Sequence, residues 1–152
     1  MYIAVIGGQQ SNTEEDRLAY EVGKLIAADG HVLICGGLGG VMEAACRGAK
    51  DGGGTTVGIL PGAFRSDANR FVDLAIATDM GQCRNAIIVR TADAVIAVGG
   101  EYGTLSEIAM ALKMGKHVVA ISSWSLLRRG LKDERIVEAP DAETALKLAT
   151  AR

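Results

Sequence analysis

Two short glycine clusters constrain the fold of this chain more than any other feature. Gly36-Gly37-Leu38-Gly39-Gly40 and Gly99-Gly100-Glu101-Tyr102-Gly103 each follow a short apolar run, His31 to Cys35 and Ala92 to Val98, and each precede a helix-length segment. A strand that turns at once into a helix needs residues without side chains. The same turn brings backbone N–H groups and the positive end of the helix dipole close to an anion. Glycine makes up 20 of 152 residues, well above the usual share of about 7%. Its clustering marks tight turns rather than a flexible linker.

The remaining pattern repeats this unit. Short apolar runs alternate with amphipathic segments, the signature of a parallel sheet with helical crossovers. Strands are expected at Tyr2–Ile6, His31–Cys35, Thr55–Leu60, Val72–Ala77, Ala92–Val98, His117–Ser122 and Arg135–Glu138. Asn12 and Glu15 have capping-box spacing, and Asp29-Gly30 closes the helix they open. Further helices are expected at Val41–Lys50, from a Thr78-Asp79 cap to Arg90, at Thr104–Met114, and after an Asp141 N-cap. Ala63–Asn69 reads as a loop. The fold class is therefore α/β: residues 1–152 form a single Rossmann-like domain, with a mostly parallel sheet of about seven strands and helices on both faces.

Composition narrows the function. Hydrophobic residues are 49% of the chain and aromatics 4%, so the core is built from Val, Ile, Leu and Ala, as strands covered on both faces require. The formal net charge is −2, and the densest basic stretch, Leu127-Arg128-Arg129-Gly130, is too short to be a nucleic-acid footprint. No apolar stretch approaches a membrane span. The first residues run straight into a strand without a basic leader. Cys35, Cys46 and Cys83 lack CxxC spacing and read as reduced thiols of a cytoplasmic protein. Cys35 and Cys46 are expected to be small buried side chains, whereas Cys83 stands beside Arg84 early in a helix, where a thiolate is stabilised.

Ligands of such sheets gather outside the carboxyl ends of the strands. His31 and His117 are the only histidines and both open strands, on the opposite edge, which argues against a His-dependent hydrolase or metal site. The glycine spacing is not GxGxxG, and no acidic residue ends the next strand, so a dinucleotide is not implied. GxxxxGK[ST] is absent as well.

The segments Cys35-Gly36-Gly37-Leu38-Gly39-Gly40-Val41-Met42-Glu43-Ala44 and Val98-Gly99-Gly100-Glu101-Tyr102-Gly103-Thr104-Leu105-Ser106-Glu107 resemble the paired motifs of the LOG (LONELY GUY) and molybdenum-cofactor-carrier-like superfamily. The likeness covers nearly the whole chain, and its GGxxGTxxE element is the specific part. The resemblance implies a Rossmann-like homodimer or larger oligomer. LOG enzymes cleave the N-glycosidic bond of cytokinin nucleoside 5′-monophosphates. On that likeness Gly100, Gly103 and Thr104 bind phosphate, and Arg84 and Glu107 match the catalytic arginine and glutamate. The candidate ligand-binding set taken together is Gly8, Gly36, Gly37, Gly39, Gly40, Met42, Glu43, Arg84, Gly99, Gly100, Gly103 and Thr104; Arg84 and Glu107 are the catalytic candidates if the protein is an enzyme.

The residue chemistry allows other roles for the last two. Glu107 suits stabilisation of an oxocarbenium-like state, but Thr104 and Glu107 also have capping-box spacing. Arg84 suits a phosphate or a departing base, but an exposed arginine also pairs with any acidic neighbour. Val98 replaces a proline and Asn85 a lysine of the LOG enzymes, which places the chain nearer the small carrier-like branch, whose proposed ligand is molybdopterin cofactor. Members of the superfamily have also been labelled lysine decarboxylases. That activity needs a Schiff-base lysine, and none of Lys24, Lys50, Lys113, Lys116, Lys132 or Lys147 follows a strand's carboxyl end.

The expected function is thus binding of a phosphorylated small ligand, a molybdopterin-type cofactor or a nucleotide, as carrier or sensor, with no cofactor required. The alternatives are a nucleoside 5′-monophosphate phosphoribohydrolase and, more weakly, a single-stranded nucleic-acid protein. The uninterrupted apolar run Ile108–Leu112 suggests an isologous homodimer or a homotetramer.

Overall fold

The computed structural model describes residues 1–151. The chain runs β1 (Tyr2–Gly7), α1 (Thr13–Ala28), β2 (Val32–Cys35), α2 (Val41–Asp51), β3 (Thr56–Leu60), β4 (Leu74–Ala77), α3 (Asn85–Thr91), β5 (Ala94–Val98) and α4 (Tyr102–Lys113). It ends with β6 (His117–Ile121), β7 (Leu127–Arg128), β8 (Leu131–Lys132), β9 (Ile136–Glu138) and α5 (Ala142–Thr150). Seven strands form one sheet in the order β4-β3-β2-β1-β5-β6-β9, every neighbouring pair parallel. The chain winds from β1 outward to β4, then returns to the other side of β1 at β5. The topological switch point therefore lies between β1 and β5, where a crevice opens at the strands' carboxyl ends.

The alternation of side chains assigns the two faces. Ile3, Val5, Leu33, Ile96 and Val98 pack against α1, α2 and α5, whereas Ala4, Ile6, Ile34, Val95 and Ala97 pack against α3 and α4. Helices α1 and α2 cross closely because glycine sits at both contact points. A Cβ at Gly23 would lie 1.9 Å from the Ala45 carbonyl oxygen, and one at Gly48 would lie 2.0 Å from that of Tyr20. The capping box of α1 forms, with Glu15 N–H donating to Asn12 Oδ1 at 2.9 Å and Asn12 N–H donating to Glu15 Oε2 at 3.1 Å. Asp141 caps α5 through the amide of Thr144 at 2.7 Å.

One sequence expectation is corrected. Thr78-Asp79 does not open a helix. Asp79 and Gly81 take positive φ (53° and 57°), and the Thr78 hydroxyl donates to the Leu60 carbonyl at 2.6 Å. A short 3₁₀ turn, Gly81–Arg84, then leads into α3. The basic segment near Arg128 is a small antiparallel hairpin, β7–β8, turned by Arg129 (φ 53°) and Gly130 (φ 80°), the left-handed pair that a two-residue hairpin turn requires. The apolar run of α4 is largely explained within the chain: Ile108 and Ala111 are buried, Met110 and Leu112 half-buried. No helix among the described residues is long and apolar enough to cross a membrane.

Candidate functional site

At the switch point a cavity of about 690 Å³ opens at the sheet's carboxyl edge, within the size range of small-ligand sites. Its walls come from the end of β1 and the loop Gly8–Gln10, the turn after β2 (Gly36, Leu38, Gly39), Met42 of α2, Pro61 after β3, Gln82, Arg84 and Asn85, and the start of α4 (Glu101, Gly103, Thr104, Glu107). Eight of the candidate residues thus meet in one space: Gly8, Gly36, Gly39, Met42, Arg84, Gly103, Thr104 and Glu107.

The other candidates lie close by but outside it. Gly40 and Glu43 line an adjoining concavity of about 390 Å³ with Gln9, Gln10, Ser11, Asp16, Ala44 and Arg47. Gly99 and Gly100 line a shallower one of about 280 Å³ with Glu15 and Ser122–Ser125. Gly37 backs onto Gly58 and Leu60. Gln9, Gln10, Pro61 and Gln82 line the main cavity although no sequence motif singled them out, and Leu38, Asn85 and Glu101 join them without having been named as candidates.

The helix ends differ in a way that tracks the cavity. The helices α1 and α5 are capped by Asn12 and Asp141, whereas α2 and α4 have no side-chain cap. First-turn amides of α4 are therefore left without a side-chain partner beside the cavity. The α2 start is instead pressed against the loop after β1. Val41 N–H donates to the Gly8 carbonyl at 3.0 Å, and a Cβ at Gly40 would come within 2.3 Å of that oxygen. At Gly103 a Cβ would meet nothing within 4 Å, so the backbone there faces open space.

Arg84 is buried, 6% exposed, and is not paired at the surface. Nε donates to the Ile59 carbonyl at 2.7 Å, Nη2 to the Gly36 carbonyl at 3.2 Å, and Nη1 to Asn85 Oδ1. It thereby ties the carboxyl ends of β2 and β3 to the start of α3. Burial lowers its pKa from the ordinary value, partly offset by the charge of Glu107.

Glu107 is 7% exposed. The helix begins at Tyr102 with Glu101 as its N-cap, so Glu107 lies beyond the position a capping box needs. It makes no hydrogen bond to another described residue, and burial pushes its carboxyl up to about 8 against the opposing pull of Arg84. Beneath the first glycine turn, Cys35 and Cys46 are both buried with their sulfurs 3.5 Å apart. Hydrogen bonding between them lowers the Cys35 thiol and raises that of Cys46. Cys83 is exposed in the 3₁₀ turn. His117 opens β6 and His31 precedes β2, both at the amino edge of the sheet.

A parallel sheet with its crevice at the β1/β5 switch point defines a Rossmann-like α/β protein. The chain belongs to the SLOG cluster4 family, whose sequence profile matches residues 1–149. It is 40% identical to the solved molybdenum cofactor binding protein of the phototrophic bacterium Rippkaea orientalis, with a TM-score of 0.89 over 97% of this chain and 93% of that one. An uncharacterized protein of Archaeoglobus fulgidus is 58% identical over 80% of either chain. The cytokinin riboside 5′-monophosphate phosphoribohydrolase of Mycobacterium tuberculosis is 37% identical over 70% of this chain and 62% of its own length. The resemblance read from the two glycine motifs is borne out.

Proposed function

We propose that the switch-point cavity binds the phosphate end of a small ligand, a molybdopterin-type cofactor or a nucleotide, and that the protein serves as its carrier or sensor in the cytoplasm. The observation that carries this reading is the start of α4. Its first turn has no side-chain cap, and its Gly103 backbone opens onto a cavity that also holds Thr104 and Arg84. Uncapped amides with a helix dipole behind them suit a phosphate. The volume of about 690 Å³ leaves room for a heterocycle beyond it. The likeness to a molybdenum cofactor binding protein across nearly the whole chain supports the same reading.

Binding that is confined to the folded state raises thermal stability by mass action, about 2.7 kcal/mol at one hundred times Kd. Thermal melts with inorganic phosphate, AMP, GMP and molybdopterin cofactor test the reading. It expects stabilisation by the phosphorylated ligands and none by adenosine or guanosine.

A second reading is a nucleoside 5′-monophosphate phosphoribohydrolase, favoured by the meeting of Arg84 and Glu107 in one cavity and by the mycobacterial relative. In that chemistry water adds to C1′ as the bond to the base breaks, giving free base and ribose 5-phosphate. Release of base from a nucleoside monophosphate panel, abolished in Glu107→Gln, would establish it.

A homodimer or homotetramer is also part of the proposal. The pairing of Val57 with Leu74 and Ile59 with Ile76 puts Leu74 and Ile76 on the α3/α4 face of the sheet. Neither helix covers them: they are 58% and 48% exposed, an apolar strip suited to a second copy.

A further inference from the structure

Among the described residues Glu107 is the one buried acidic side chain, and none of the others gives it a hydrogen bond. It projects from the second turn of α4 into the cavity, 7% exposed and without a hydrogen bond to any other described residue. The neighbouring side-chain donors point elsewhere and none reaches its carboxyl. Arg84 directs its three nitrogens to Ile59, Gly36 and Asn85, and the Asn85 amide Nδ2 donates to Gln82 Oε1 at 3.3 Å. A buried carboxylate without donors is expensive, whereas the neutral acid keeps one O–H to give.

Resting on the phosphate-binding reading above, we infer that Glu107 enters the ligand complex as a neutral carboxylic acid, donating its O–H to an anionic oxygen of the ligand. The site then takes a phosphate only together with a proton. Ionisation of Glu107 would leave a second negative charge facing the phosphate across the cavity. The position of its carboxyl, near 8, puts this change within reach of ordinary buffers.

The titratable and charged groups around Glu107 are few. Arg84 stands before α3, Cys35 ends β2 with Cys46 of α2 behind it, and Glu101 lies on the cavity wall at the start of the same helix. The walls supplied by β1 and its following loop contain no titratable side chain. Arg84 keeps its charge over the neutral range, which leaves Glu107 and the cysteine pair as the groups able to set a pH profile.

The test is calorimetric titration of AMP between pH 7.5 and pH 9.5, where its phosphomonoester, with a second pKa near 6, keeps nearly constant charge. Affinity is expected to fall roughly tenfold per pH unit above about pH 8. Repeating the titration at pH 9 in buffers of different ionisation enthalpy should show about one proton taken up per ligand bound. Glu107→Gln, a permanent neutral donor, should bind with a flat profile and exceed the wild type at pH 9.5. Binding with a flat wild-type profile and no proton uptake overturns this inference alone. A Gln variant that keeps the wild-type slope also overturns it, and assigns the titration to Cys35. Absence of binding at every pH overturns the phosphate-binding reading along with it.

Discussion

Arg84 and Glu107 line the same cavity, yet the guanidinium of Arg84 is held by Ile59, Gly36 and Asn85 rather than by the Glu107 carboxyl. The two residues therefore have separate duties. Arg84 fixes the shape of the first glycine turn; Glu107 faces the open space that a ligand would fill.

The first duty makes Arg84 a stability determinant. Arg84→Ala leaves the Ile59 and Gly36 carbonyls without their buried donor, an expected loss of about 3 kcal/mol. Arg84→Lys should recover little of it, because an ammonium group cannot reproduce the planar fork. Urea denaturation of the three proteins at neutral pH checks both statements.

The second duty makes stability depend on pH. The carboxyl of Glu107 is raised from 4.5 to about 8 in the folded protein. Between those values the folded chain holds a proton that the unfolded chain has released, so this contribution to stability is full below pH 4.5 and declines as pH rises to 8. Glu107→Gln should therefore match the wild type near pH 4.5 and exceed it at pH 8.5, by an amount on the order of a few kcal/mol. Melting temperatures of the two proteins across that range provide the comparison.

Turnover and binding should respond to pH in opposite directions. An oxocarbenium-like state is stabilised by a carboxylate and not by the neutral acid. Because bound phosphate holds the proton on Glu107, any release of base that uses its carboxylate should be slow under saturating substrate at neutral pH and should rise only at a pH above that at which affinity begins to fall. Rates that decline over the same range would assign the chemistry to another group.

Much of this architecture was legible in the sequence because each element carries its own local signal. Asn12 with Glu15, Asp141, and the paired glycine clusters state where helices begin, and the β-branched runs state where strands lie. The meeting of Arg84 with Glu107 was legible only through the GGxxGTxxE resemblance, since 23 residues separate them and the sheet order brings them together. The Thr78-Asp79 start misled because Thr78 has the residue type of a cap, while its hydroxyl bonds back to Leu60. Gln9 and Gln10 carry no motif; their place in the cavity follows from the geometry of the loop after β1. The hairpin at Leu127–Lys132 was hidden because Arg129-Gly130 lacks the Asn or Asp that usually marks such a turn.

The exposed strip on β4 gives a separate expectation. Size-exclusion chromatography with light scattering should return a dimer or tetramer at micromolar concentration. Ile76→Glu, with Leu74→Glu as a second variant, should shift the population toward monomer without loss of helical signal. A monomeric wild type would contradict the proposed assembly.

The cavity itself is tested most directly at Gly103, whose missing side chain faces open space. Gly103→Val should change stability by less than about 1 kcal/mol, since the position lies in the first turn of α4 and meets no neighbour. Its side chain would project into the space where a phosphate would sit. The measurement is the thermal shift produced by AMP, GMP and inorganic phosphate at pH 7 in the wild type and in this variant. Stabilisation of the wild type with none in Gly103→Val is the predicted result; equal stabilisation of the two proteins would contradict the assignment of the cavity.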